Sequence, residues 1–538
     1  MRNFRSLKGA PKTLNALPLY SGRVSGNCER TAGRAVAIIG SGPAGLSCAR
    51  WLKREGFDPV LFEQGDRIGG QWSGTPGWSG VWPSLCTNTG RRMTEFSDLS
   101  HAPGTALYPG NRAMYGYLHG YAQEFGLLEC VRLRTRVESL DRTDGGAWRL
   151  RLRYDHSLVQ EERFERVVVG SGRFNKPSLP RIPGLESFSG RGGVIHAFNY
   201  RDAAPYRHMR VLVGGCAVSA LEVASDLAMQ GAKAVVCTNR RQRYVLPKNL
   251  AGVPIEEIIH TRHSALVRES RPLADVAREL KSFIVERCGV PERYGALRPH
   301  DDLLVAGITQ CQFFPPLVAE GRIGVRPWIS CVEGDVVRFA DGTSESFDAL
   351  VFGTGFDLNL PFLGADLRQI LGVREGRLDL HDFTFHPELD RLAFAGLFQV
   401  AGPYLPPIEL QARWIAYSWS GARSLPPGNE LRQRIDAERD DHAVQRVHHM
   451  PSVMLAFARN AGVEPVIDEW PELRQVLLYG PLLPIGFRIS GRDSLIDAAD
   501  RLSAAAATLP DWHPSRVAAI EPKRTPESSA FRAAAHAR

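Results

Sequence analysis

A glycine-rich turn between two short apolar strands constrains the fold of this chain more than any other stretch. Residues 35–39 read AVAII, and this β-branched run predicts a buried strand. The next six residues are Gly40, Ser41, Gly42, Pro43, Ala44 and Gly45, with the glycine spacing of a dinucleotide-binding turn. Gly40 allows a tight turn, Gly42 lets the backbone approach a pyrophosphate, and Gly45 lets a helix pack closely on the strand. The stretch therefore predicts a nucleotide-binding βαβ unit.

The second strand of this unit, residues 60–62, ends in Glu63. A carboxylate at this position can accept hydrogen bonds from an adenosine ribose. A glycine-rich turn without a ligand is the alternative interpretation. The order of strand, glycines, helix, strand and acid favours the nucleotide site.

The same pattern returns after residue 205. Residues 210–213 predict a buried strand, and the turn that follows is Gly215-Cys216-Ala217-Val218-Ser219-Ala220, continued by Leu221 and Glu222. Ala217 replaces the second glycine of the pattern, and a methyl group there is tolerated only if the phosphate lies slightly further away. A repeat of the fold that binds no ligand is the alternative here.

The second unit ends differently from the first. Where the first unit has Glu63, the second has Thr238, Asn239, Arg240 and Arg241. No carboxylate repels a 2′-phosphate there, and two guanidinium groups can pair with one. A pair of solvated arginines is the alternative. We expect FAD in the first unit and NADPH in the second, so that electrons pass between two cofactors.

A third apolar strand, in the stretch DALVFGTGFD at residues 348–357, resembles RVVVGSG at 166–172 and suggests that the chain returns to the first domain. Helices are expected at 115–128, 409–420 and 429–447, and strands at 131–140 and 148–152. We therefore predict an α/β fold with two nested Rossmann-like dinucleotide-binding domains and a mostly helical C-terminal segment. The predicted divisions are an N-terminal extension (1–33), a first FAD-binding part (34–205), an NADPH-binding domain (206–332), a second FAD-binding part (333–445), a C-terminal segment (446–510) and a disordered tail (511–538).

Two further stretches contain candidate ligand contacts. Residues 65–72 (GDRIGGQW) contain Gly70, Gln71 and Trp72, which suit a close backbone approach and packing against a flat ligand, or a turn with a core aromatic residue. The polar stretch 84–100 contains Thr87, Asn88 and Thr89. The residue types alone favour a capped turn over the functional interpretation, in which the Asn88 amide forms a hydrogen bond to a polar centre.

The composition excludes several classes of protein. The net charge of +8 arises from scattered Lys and Arg residues, which indicates no nucleic-acid partner. The nine cysteines form no close pair, so we expect no disulfide framework, no zinc site and no redox-active disulfide. We expect instead a reducing, cytoplasmic setting. No apolar run reaches the roughly 18 residues of a membrane span, so we predict no integral membrane segment.

Taken together, the motifs resemble those of the flavin-containing monooxygenases, and the resemblance extends over about residues 34–505. The matching segments are GSGPAG at 40–45, Glu63, IGGQW at 68–72, CTNTGRRM at 86–93, GCAVSALEVA at 215–224, FGTGF at 352–356, ELQARW at 409–414 and YGPLLPIGFRISG at 479–491. The resemblance implies an FAD-containing, NADPH-dependent monooxygenase of the N,N-dimethylaniline monooxygenase type. It also implies O₂ as co-substrate and a small amine or sulfide that is oxygenated by a flavin C4a-hydroperoxide.

The resemblance assigns roles to individual residues as well. Asn88 is the family's active-site asparagine and the expected catalytic residue. Cofactor contacts are expected from Gly40, Ser41, Gly42, Pro43, Ala44, Gly45, Glu63, Gly70, Gln71, Trp72, Thr87, Thr89, Gly215, Ser219, Ala220, Leu221, Glu222, Arg240, Arg241 and Gly355. No metal is expected, and a homodimer is considered.

Two departures from the family pattern lie on the NADPH side. Five residues rather than three separate Gly190 from His196 in the family's identifying segment, and Ala217 stands at a glycine position. Tyr200 fits the N- and S-oxygenating group better than the related Baeyer–Villiger enzymes. Three alternatives remain open: a Baeyer–Villiger monooxygenase acting on ketones, an uncoupled NADPH oxidase or reductase, and a binding module that keeps only FAD.

Overall fold

The chain is built on two parallel five-stranded sheets that carry the two glycine-rich turns. A computed structural model describes residues 33–155, 158–373, 376–440, 447–511 and 513. Almost all of the predicted N-terminal extension and tail lies outside these residues.

The strands of the described residues are, in chain order, β1 (Ala35–Ile39), β2 (Asp58–Phe62), β3 (Val131–Arg132), β4 (Thr135–Arg142), β5 (Trp148–Tyr154), β6 (Leu158–Phe164), β7 (Arg166–Val169), β8 (Lys176–Pro177), β9 (Gly193–His196), β10 (Arg210–Gly214), β11 (Ala234–Asn239), β12 (Tyr244–Leu246), β13 (Asn249–Leu250), β14 (Val253–Pro254), β15 (Ile308–Gln310), β16 (Ile323–Pro327), β17 (Ile329–Glu333), β18 (Val336–Phe339), β19 (Ser344–Ser346), β20 (Ala349–Phe352), β21 (Phe356–Asp357), β22 (Leu392–Phe394), β23 (Val400–Ala401) and β24 (His448–His449).

The α-helices of the same residues are α1 (Pro43–Arg54), α2 (Asn111–Glu124), α3 (Val218–Met229), α4 (Ile255–Ile259), α5 (Arg262–Ser270), α6 (Leu273–Cys288), α7 (Leu303–Ala306), α8 (Phe314–Ala319), α9 (Ala365–Ile370), α10 (Leu405–Trp419), α11 (Gly428–Asp440), α12 (Met450–Ala461), α13 (Arg474–Tyr479) and α14 (Ala498–Ala507).

The first sheet has the strand order β22-β7-β1-β2-β3, and all its pairs are parallel. Its central strand β1 is almost completely buried because both faces are covered. Helices α1, α2, α10 and α12 contribute to the core on one face, and the antiparallel sheet β4-β5-β6 contributes to the core on the other.

The second sheet repeats this arrangement. Its order is β16-β11-β10-β20-β9, again parallel throughout. Helices α3 and α8 pack on one face, and the antiparallel sheet β17-β18-β19 packs on the other. In both units a strand, a helix and a strand are followed by a third parallel strand, a three-stranded antiparallel sheet and a fourth parallel strand. The two units are thus one topology used twice, the second lying in sequence between β7 and β22 of the first.

This repeat corrects one prediction. The apolar strand in residues 348–357 does not return to the first sheet, because β20 pairs with β10 and β9 of the second sheet. It resembles residues 166–172 because β20 and β7 hold the same place in the two units. The strand that does return is β22, which pairs with β7. The strands of the second sheet therefore run from residue 193 to residue 352, beyond the predicted limits of 206 and 332.

The other predicted elements exist with shifted ends. The helix expected at 115–128 is α2, which begins four residues earlier and ends at Glu124. The strand expected at 131–140 is divided, since β3 belongs to the first sheet and β4 to the antiparallel one. The helix expected at 429–447 is α11, and residues 441–446 lie outside the described part of the chain.

Buried charges tie the C-terminal segment to the first unit. Arg413 on α10 donates to Asp493 over 2.8 Å, and Arg488 donates to Ser97 over 2.8 Å. The Ser97 backbone amide donates in turn to Glu409 of α10, again over 2.8 Å. All five residues are at most 2% exposed, so removing one partner would leave a buried charge uncompensated. The network ties α10 to residues 488–493 and to Ser97 of the first unit.

Candidate active site

The first glycine-rich turn leaves no room for side chains at two of its positions. Gly40 has a φ of 101°, and a Cβ on it would lie 2.7 Å from the carbonyl oxygen of Gly170. A Cβ on Gly45 would lie 2.0 Å from the carbonyl oxygen of Gly40. No side chain caps α1 at Gly42, so its first backbone amides are available to an anion. The turn has the close approach and the open helix end that a pyrophosphate needs.

The second glycine pair lies directly against this turn. The Gly69 amide donates to the Ser41 carbonyl over 2.9 Å, and a Cβ on Gly70 would lie 2.9 Å from the Cα of Gly42. The Gln71 side chain is held within the protein, because its amide oxygen accepts from the Gly80 backbone over 2.8 Å and its amide nitrogen donates to the Trp78 carbonyl over 3.2 Å. Trp72 is half-buried and packs on the core of the first unit.

Glu63 lies at the mouth of the first turn, at the end of β2. Its Oε2 accepts from the backbone amide of Ser41 (3.0 Å) and from the Ser41 hydroxyl (2.9 Å), and its Oε1 accepts from the Gly65 amide (2.8 Å). An ionised carboxylate offers about four lone-pair directions, so acceptor capacity remains for ribose hydroxyls.

The loop that contains Asn88 is braced by the threonines on either side of it. The Thr87 hydroxyl donates to the Thr89 carbonyl over 2.8 Å, and the Thr89 and Thr94 hydroxyls lie 2.9 Å apart. Asn88 itself has a buried side-chain oxygen with no hydrogen-bond partner. Buried polar atoms are rarely left unpaired, so this oxygen marks a place where a donor is expected. Its neighbours hold the loop, and Asn88 is left available to a ligand.

The second turn accommodates its departure from the glycine pattern. Gly215 has a φ of 127°, and a Cβ on it would lie 2.7 Å from the Gly353 carbonyl oxygen, as at the first turn. Ala217 has φ of −99° and ψ of 172°, an extended conformation that alanine adopts without strain. No side chain caps α3 at Ala217, so the helix end is open here too. The alanine therefore leaves the backbone of the turn intact.

The residues that follow on α3 differ in burial and in contacts. Ala220 and Leu221 are fully buried, and Ala220 lies against Gly353. Ser219 is exposed in the first turn of the helix. Glu222 lies 3.0 Å from the Nζ of Lys248, with both side chains largely buried. Glu222 is therefore paired within the protein.

The two predicted arginines lie just beyond β11 and are both exposed. The Arg240 guanidinium stacks on the Trp328 ring at 4.9 Å, and Arg241 donates to the Val305 carbonyl over 3.1 Å. Neither arginine forms an ion pair with a carboxylate in the described part of the chain. Both cations therefore remain available to an anionic group at this strand end.

Aromatic residues from both units meet around Gly355. Phe356 lies 5.6 Å from Phe174, which follows β7, and 5.2 Å from the ring of His196 at the end of β9. Gly355 has a φ of 91° with open space where a side chain would point. The Nδ1 of His196 accepts from the Phe198 amide over 3.0 Å, whereas its Nε2 is buried without a partner. Burial lowers the pKa of His196, so the imidazole is neutral at pH 7.

The sequence that forms these two turns matches a known family over most of its length. The sequence model described as "Flavin-binding monooxygenase-like" matches residues 33–501. The chain belongs to this family of flavin monooxygenases. It is accordingly an FAD-containing, NADPH-dependent monooxygenase, and the resemblance that the motifs indicated is confirmed.

Relatives of this flavin monooxygenase agree along nearly their whole length. Dimethylaniline monooxygenase [N-oxide-forming] 2 of Rattus norvegicus is 30% identical over 85% of this chain and 89% of its own. Flavin-containing monooxygenase 5 of Homo sapiens is 28% identical over 87% of this chain and 92% of its own.

Solved structures share the fold as well. S-allyl-L-cysteine S-oxygenase of Allium sativum is 25% identical, covers 88% of this chain and 98% of its own, and has a TM-score of 0.61. The open structure of cyclohexanone monooxygenase has the same TM-score at 19% identity, covering 80% of this chain and 97% of its own, which shows a common fold alone.

The observed turns fit FAD and NADPH. Each turn combines a backbone cradle that a Cβ would fill with an uncapped helix N-terminus, the combination that a dinucleotide pyrophosphate requires. Among the described residues, no group of three or more His, Cys, Asp or Glu side chains could hold a metal ion. Nor does any helix in that part of the chain have the length and apolar character to cross a membrane.

Sequence reasoning assigned no role to several residues that lie at or near the second turn. Asn239 is buried at the end of β11 and donates to Gln242 over 3.3 Å, while Gln242 donates to the sulfur of Cys216 over 3.3 Å. Lys248 pairs with Glu222, and Phe356 is central to the aromatic cluster. Phe356 lies in the FGTGF stretch and Asn239 beside the predicted arginines, but their contacts depend on strand register and on the assembly of both units, and no local pattern marks Gln242 or Lys248.

Proposed function

We propose that this flavin monooxygenase oxygenates a nucleophilic nitrogen or sulfur of a small organic substrate, using NADPH and O₂. The observation that carries the proposal is the buried, unpartnered side-chain oxygen of Asn88 in a loop braced by its neighbours. The names of relatives point the same way: one forms N-oxides and another oxygenates the sulfur of S-allyl-L-cysteine.

The first turn would hold FAD. The open end of α1 at residues 40–45 would receive the pyrophosphate, and Glu63 would accept from the ribose hydroxyls. Gly70 would allow a close backbone approach, with Gln71 and Trp72 supporting that segment. Flavin supplies oxygen activation that protein side chains lack.

The second turn would hold NADPH. The open end of α3 would receive the pyrophosphate beside Gly215, Ser219 and Ala220. Arg240 and Arg241 would pair with the 2′-phosphate. Leu221 and Glu222 would act through the packing of α3, since Leu221 is buried and Glu222 is paired with Lys248.

The protein's task between the two turns is to orient groups and exclude water. Asn88 would direct its amide at the bound cofactors, with Thr87 and Thr89 fixing the loop. The aromatic cluster around Gly355 would keep water from the reacting groups, because hydrolysis and peroxide release compete with oxygen transfer. His196 is neutral and the region supplies little acid–base machinery, which suits a substrate that is already nucleophilic.

Product analysis tests this proposal. Purified holoenzyme is supplied with NADPH, O₂ and, in separate reactions, a tertiary amine, a thioether and a cyclic ketone, while NADPH use, hydrogen peroxide and oxygenated product are measured together. We expect an N-oxide or sulfoxide in near one-to-one ratio with NADPH. A lactone from the ketone as the sole product would establish Baeyer–Villiger chemistry instead. Peroxide equal to NADPH with no oxygenated product would establish an oxidase.

Asn88→Ala tests the residue that carries the proposal. We expect the variant to retain FAD, form about tenfold less product or below, and release more peroxide per NADPH, because the amide contact is lost. Asn460→Ala is a matched control: this half-buried asparagine on α12 donates to Asp382 over 2.7 Å, away from both turns. Unchanged coupling in Asn88→Ala would contradict the role of Asn88.

We further propose that the first sheet and its helices form the FAD-binding half and that the second sheet forms the NADPH-binding half. The C-terminal segment then completes the FAD half through the buried charges described above. A cytoplasmic location is part of the same proposal, since seven cysteines of the described residues are free thiols: Cys48, Cys86, Cys216, Cys237, Cys288, Cys311 and Cys331. The homodimer stays a prediction, which the molar mass in solution would test.

A further inference from the structure

One segment of the second unit contacts both the NADPH-side helix and the Asn88 loop. This bridging segment, residues 244–259, contains β12, β13, β14 and α4 and lies in sequence between β11 and β16 of the second sheet. It leaves that sheet and packs beside the loop of residues 86–93, which belongs to the first unit.

At the loop, the contact is made by Glu256 on α4. Its Oε1 accepts a hydrogen bond from the backbone amide of Gly90, two residues after Asn88. A Cβ on Gly90 would lie 3.0 Å from the Cγ of Pro254, so the Pro254 ring packs closely against the Gly90 backbone here. Glu256 is 1% exposed, and its Oε2 has no hydrogen-bond partner. The carboxyl is therefore held at the loop through its Oε1, with the Gln310 side chain of β15 beside it.

A second contact strengthens the first. The hydroxyl of Tyr108 donates to the Lys248 carbonyl over 2.6 Å. Tyr108 belongs to the strap of residues 107–109, whose carbonyls accept from the Arg91 amide (2.8 Å) and the Thr87 amide (2.9 Å). The Asn88 loop is thus held by the strap on one side and by Glu256 on the other, and both are anchored to the bridging segment.

At the other end, Lys248 reaches the second turn. Its Nζ lies 3.0 Å from the Oε1 of Glu222, one turn into α3 from the open helix end. The Lys248 carbonyl also accepts from the Ile255 amide over 3.0 Å, which ties it to the start of α4. Side chains and backbone thereby form a continuous path from α3 through Lys248 and Glu256 to Gly90.

We propose that Glu256 is a positioning residue that holds the Asn88 loop to the NADPH-binding half, so that nucleotide bound at the second turn steadies Asn88. The function of the path is to keep Asn88 in place while the nucleotide is bound. The inference rests on the proposed roles of Asn88 and of the second turn.

The role of Glu256 rests on the hydrogen bond that its Oε1 accepts from the Gly90 amide. Burial is the main cause that raises the pKa of Glu256 to about 7, with a smaller contribution from the neighbouring carboxylate of Glu257. Glu257 is paired with Arg92, and Gln310 is the uncharged neighbour on β15. A neutral side chain with an oxygen at the same place should therefore serve as well, which makes Glu256→Gln the rescuing variant and Glu256→Ala the disrupting one.

Hydrogen–deuterium exchange of the holoenzyme, with and without NADP⁺, tests the path without turnover. In the wild type we expect NADP⁺ to slow exchange in residues 215–224 and also in 86–93. In Glu256→Ala, exchange in 86–93 should be about tenfold faster and no longer respond to NADP⁺, while 215–224 still responds, because the Gly90 amide has lost its acceptor. Glu256→Gln should stay within about twofold of the wild type. Lys248→Met should lose the response of 86–93 to NADP⁺.

A normal response of residues 86–93 in Glu256→Ala, or none in the wild type, would overturn the proposal. If Glu256→Ala does not fold, Tyr108→Phe replaces it, with about threefold faster exchange expected in 86–93. Tyr154→Phe is its matched control, since this tyrosine accepts from Arg132 over 3.2 Å, remote from the path. Unchanged exchange in Tyr108→Phe would then overturn the proposal.

Turnover gives a second readout. Glu256→Ala should raise the peroxide released per NADPH severalfold with FAD content unchanged, and Glu256→Gln should restore the wild-type ratio. An absence of NADP⁺ protection at 215–224 in the wild type would contradict the proposed NADPH site. The nucleotide-free exchange of 86–93 in Glu256→Ala would still decide whether Glu256 positions the loop.

Discussion

The two glycine-rich turns have nearly the same backbone and different side chains around it. In the first, the Gly40 amide donates to the Phe62 carbonyl, and in the second the Gly215 amide donates to the Thr238 carbonyl, both over 2.8 Å. Glu63 and Asn239 therefore hold the same place, each one residue after the carbonyl that accepts this bond. Ser41 and Cys216 likewise match.

The difference lies in charge. Glu63 is a carboxylate that accepts two hydrogen bonds from Ser41, whereas Asn239 is a neutral amide within a set of neutral contacts to Gln242 and Cys216. A carboxylate accepts from a ribose and repels a phosphate, and an amide does not repel one. One topology can therefore select two dinucleotides through a single position at the strand end, supported by nearby arginines.

The largest expected effect comes from filling the first turn. Gly45→Ala places a methyl group 2.0 Å from the Gly40 carbonyl oxygen, so we expect the variant to lose about 3 kcal/mol or more of unfolding free energy. Ala220→Gly is the matched change in the second turn, where the helix has room for a methyl group, and should cost about 1 kcal/mol. Urea unfolding measures both. Equal midpoints for Gly45→Ala and the wild type would show that the first turn is looser than described.

The next effect concerns FAD. Glu63→Arg removes the acceptors for Ser41, Gly65 and the ribose, so FAD affinity should fall about 100-fold or more. Flavin absorbance after gel filtration measures the retained cofactor. Asn239→Arg at the matching place should keep its flavin. A fully loaded Glu63→Arg protein would remove Glu63 from the FAD site.

A smaller effect is expected at the arginines. Arg240→Ala combined with Arg241→Ala should raise the KM for NADPH about 10- to 100-fold and that for NADH less than about threefold, because only NADPH has the 2′-phosphate. Steady-state rates with both nucleotides measure this. Arg271→Ala, which alters an exposed pair with Glu279, is the control. Equal changes for both nucleotides would mean that these arginines do not read the phosphate.

The smallest effect on nucleotide use is expected at Ala217, which departs from the glycine pattern. Ala217→Gly should change the KM for NADPH by less than about threefold, since Ala217 already has an extended backbone that any residue adopts. A tenfold improvement would show that the methyl group hinders the nucleotide.

Local patterns predicted the two turns, their flanking strands and their helices because each depends on neighbours in sequence. The same patterns misplaced β20, since a buried parallel strand followed by small residues looks alike in either sheet. Only pairing with β10 and β9 assigns it, and that pairing is set by contacts far along the chain. A repeated topology makes this error easy.

The residues of the candidate site also fall into two groups: those that local spacing predicts and those that only the assembled fold brings together. Gly40, Gly45 and Glu63 were recognisable because spacing along one βαβ unit determines where they lie. The match of Asn239 to Glu63 needs the register of two strands, and the approach of Phe356 to Phe174 needs both units assembled. The contact between Glu256 and Gly90 joins residues 166 positions apart. Such contacts leave no local signal.

Anaerobic reduction of the bound flavin tests most directly whether the residue at each strand end makes the first turn an FAD site and the second an NADPH site. Holoenzyme and Asn239→Glu, which gives the second turn the carboxylate of the first, are mixed with NADPH or NADH, and the loss of oxidised-flavin absorbance is followed. We predict that the wild type is reduced at far lower concentrations of NADPH than of NADH, and that Asn239→Glu loses most of this preference while retaining its FAD. Equal reduction by both nucleotides in the wild type, or an unchanged preference in Asn239→Glu, would contradict the account.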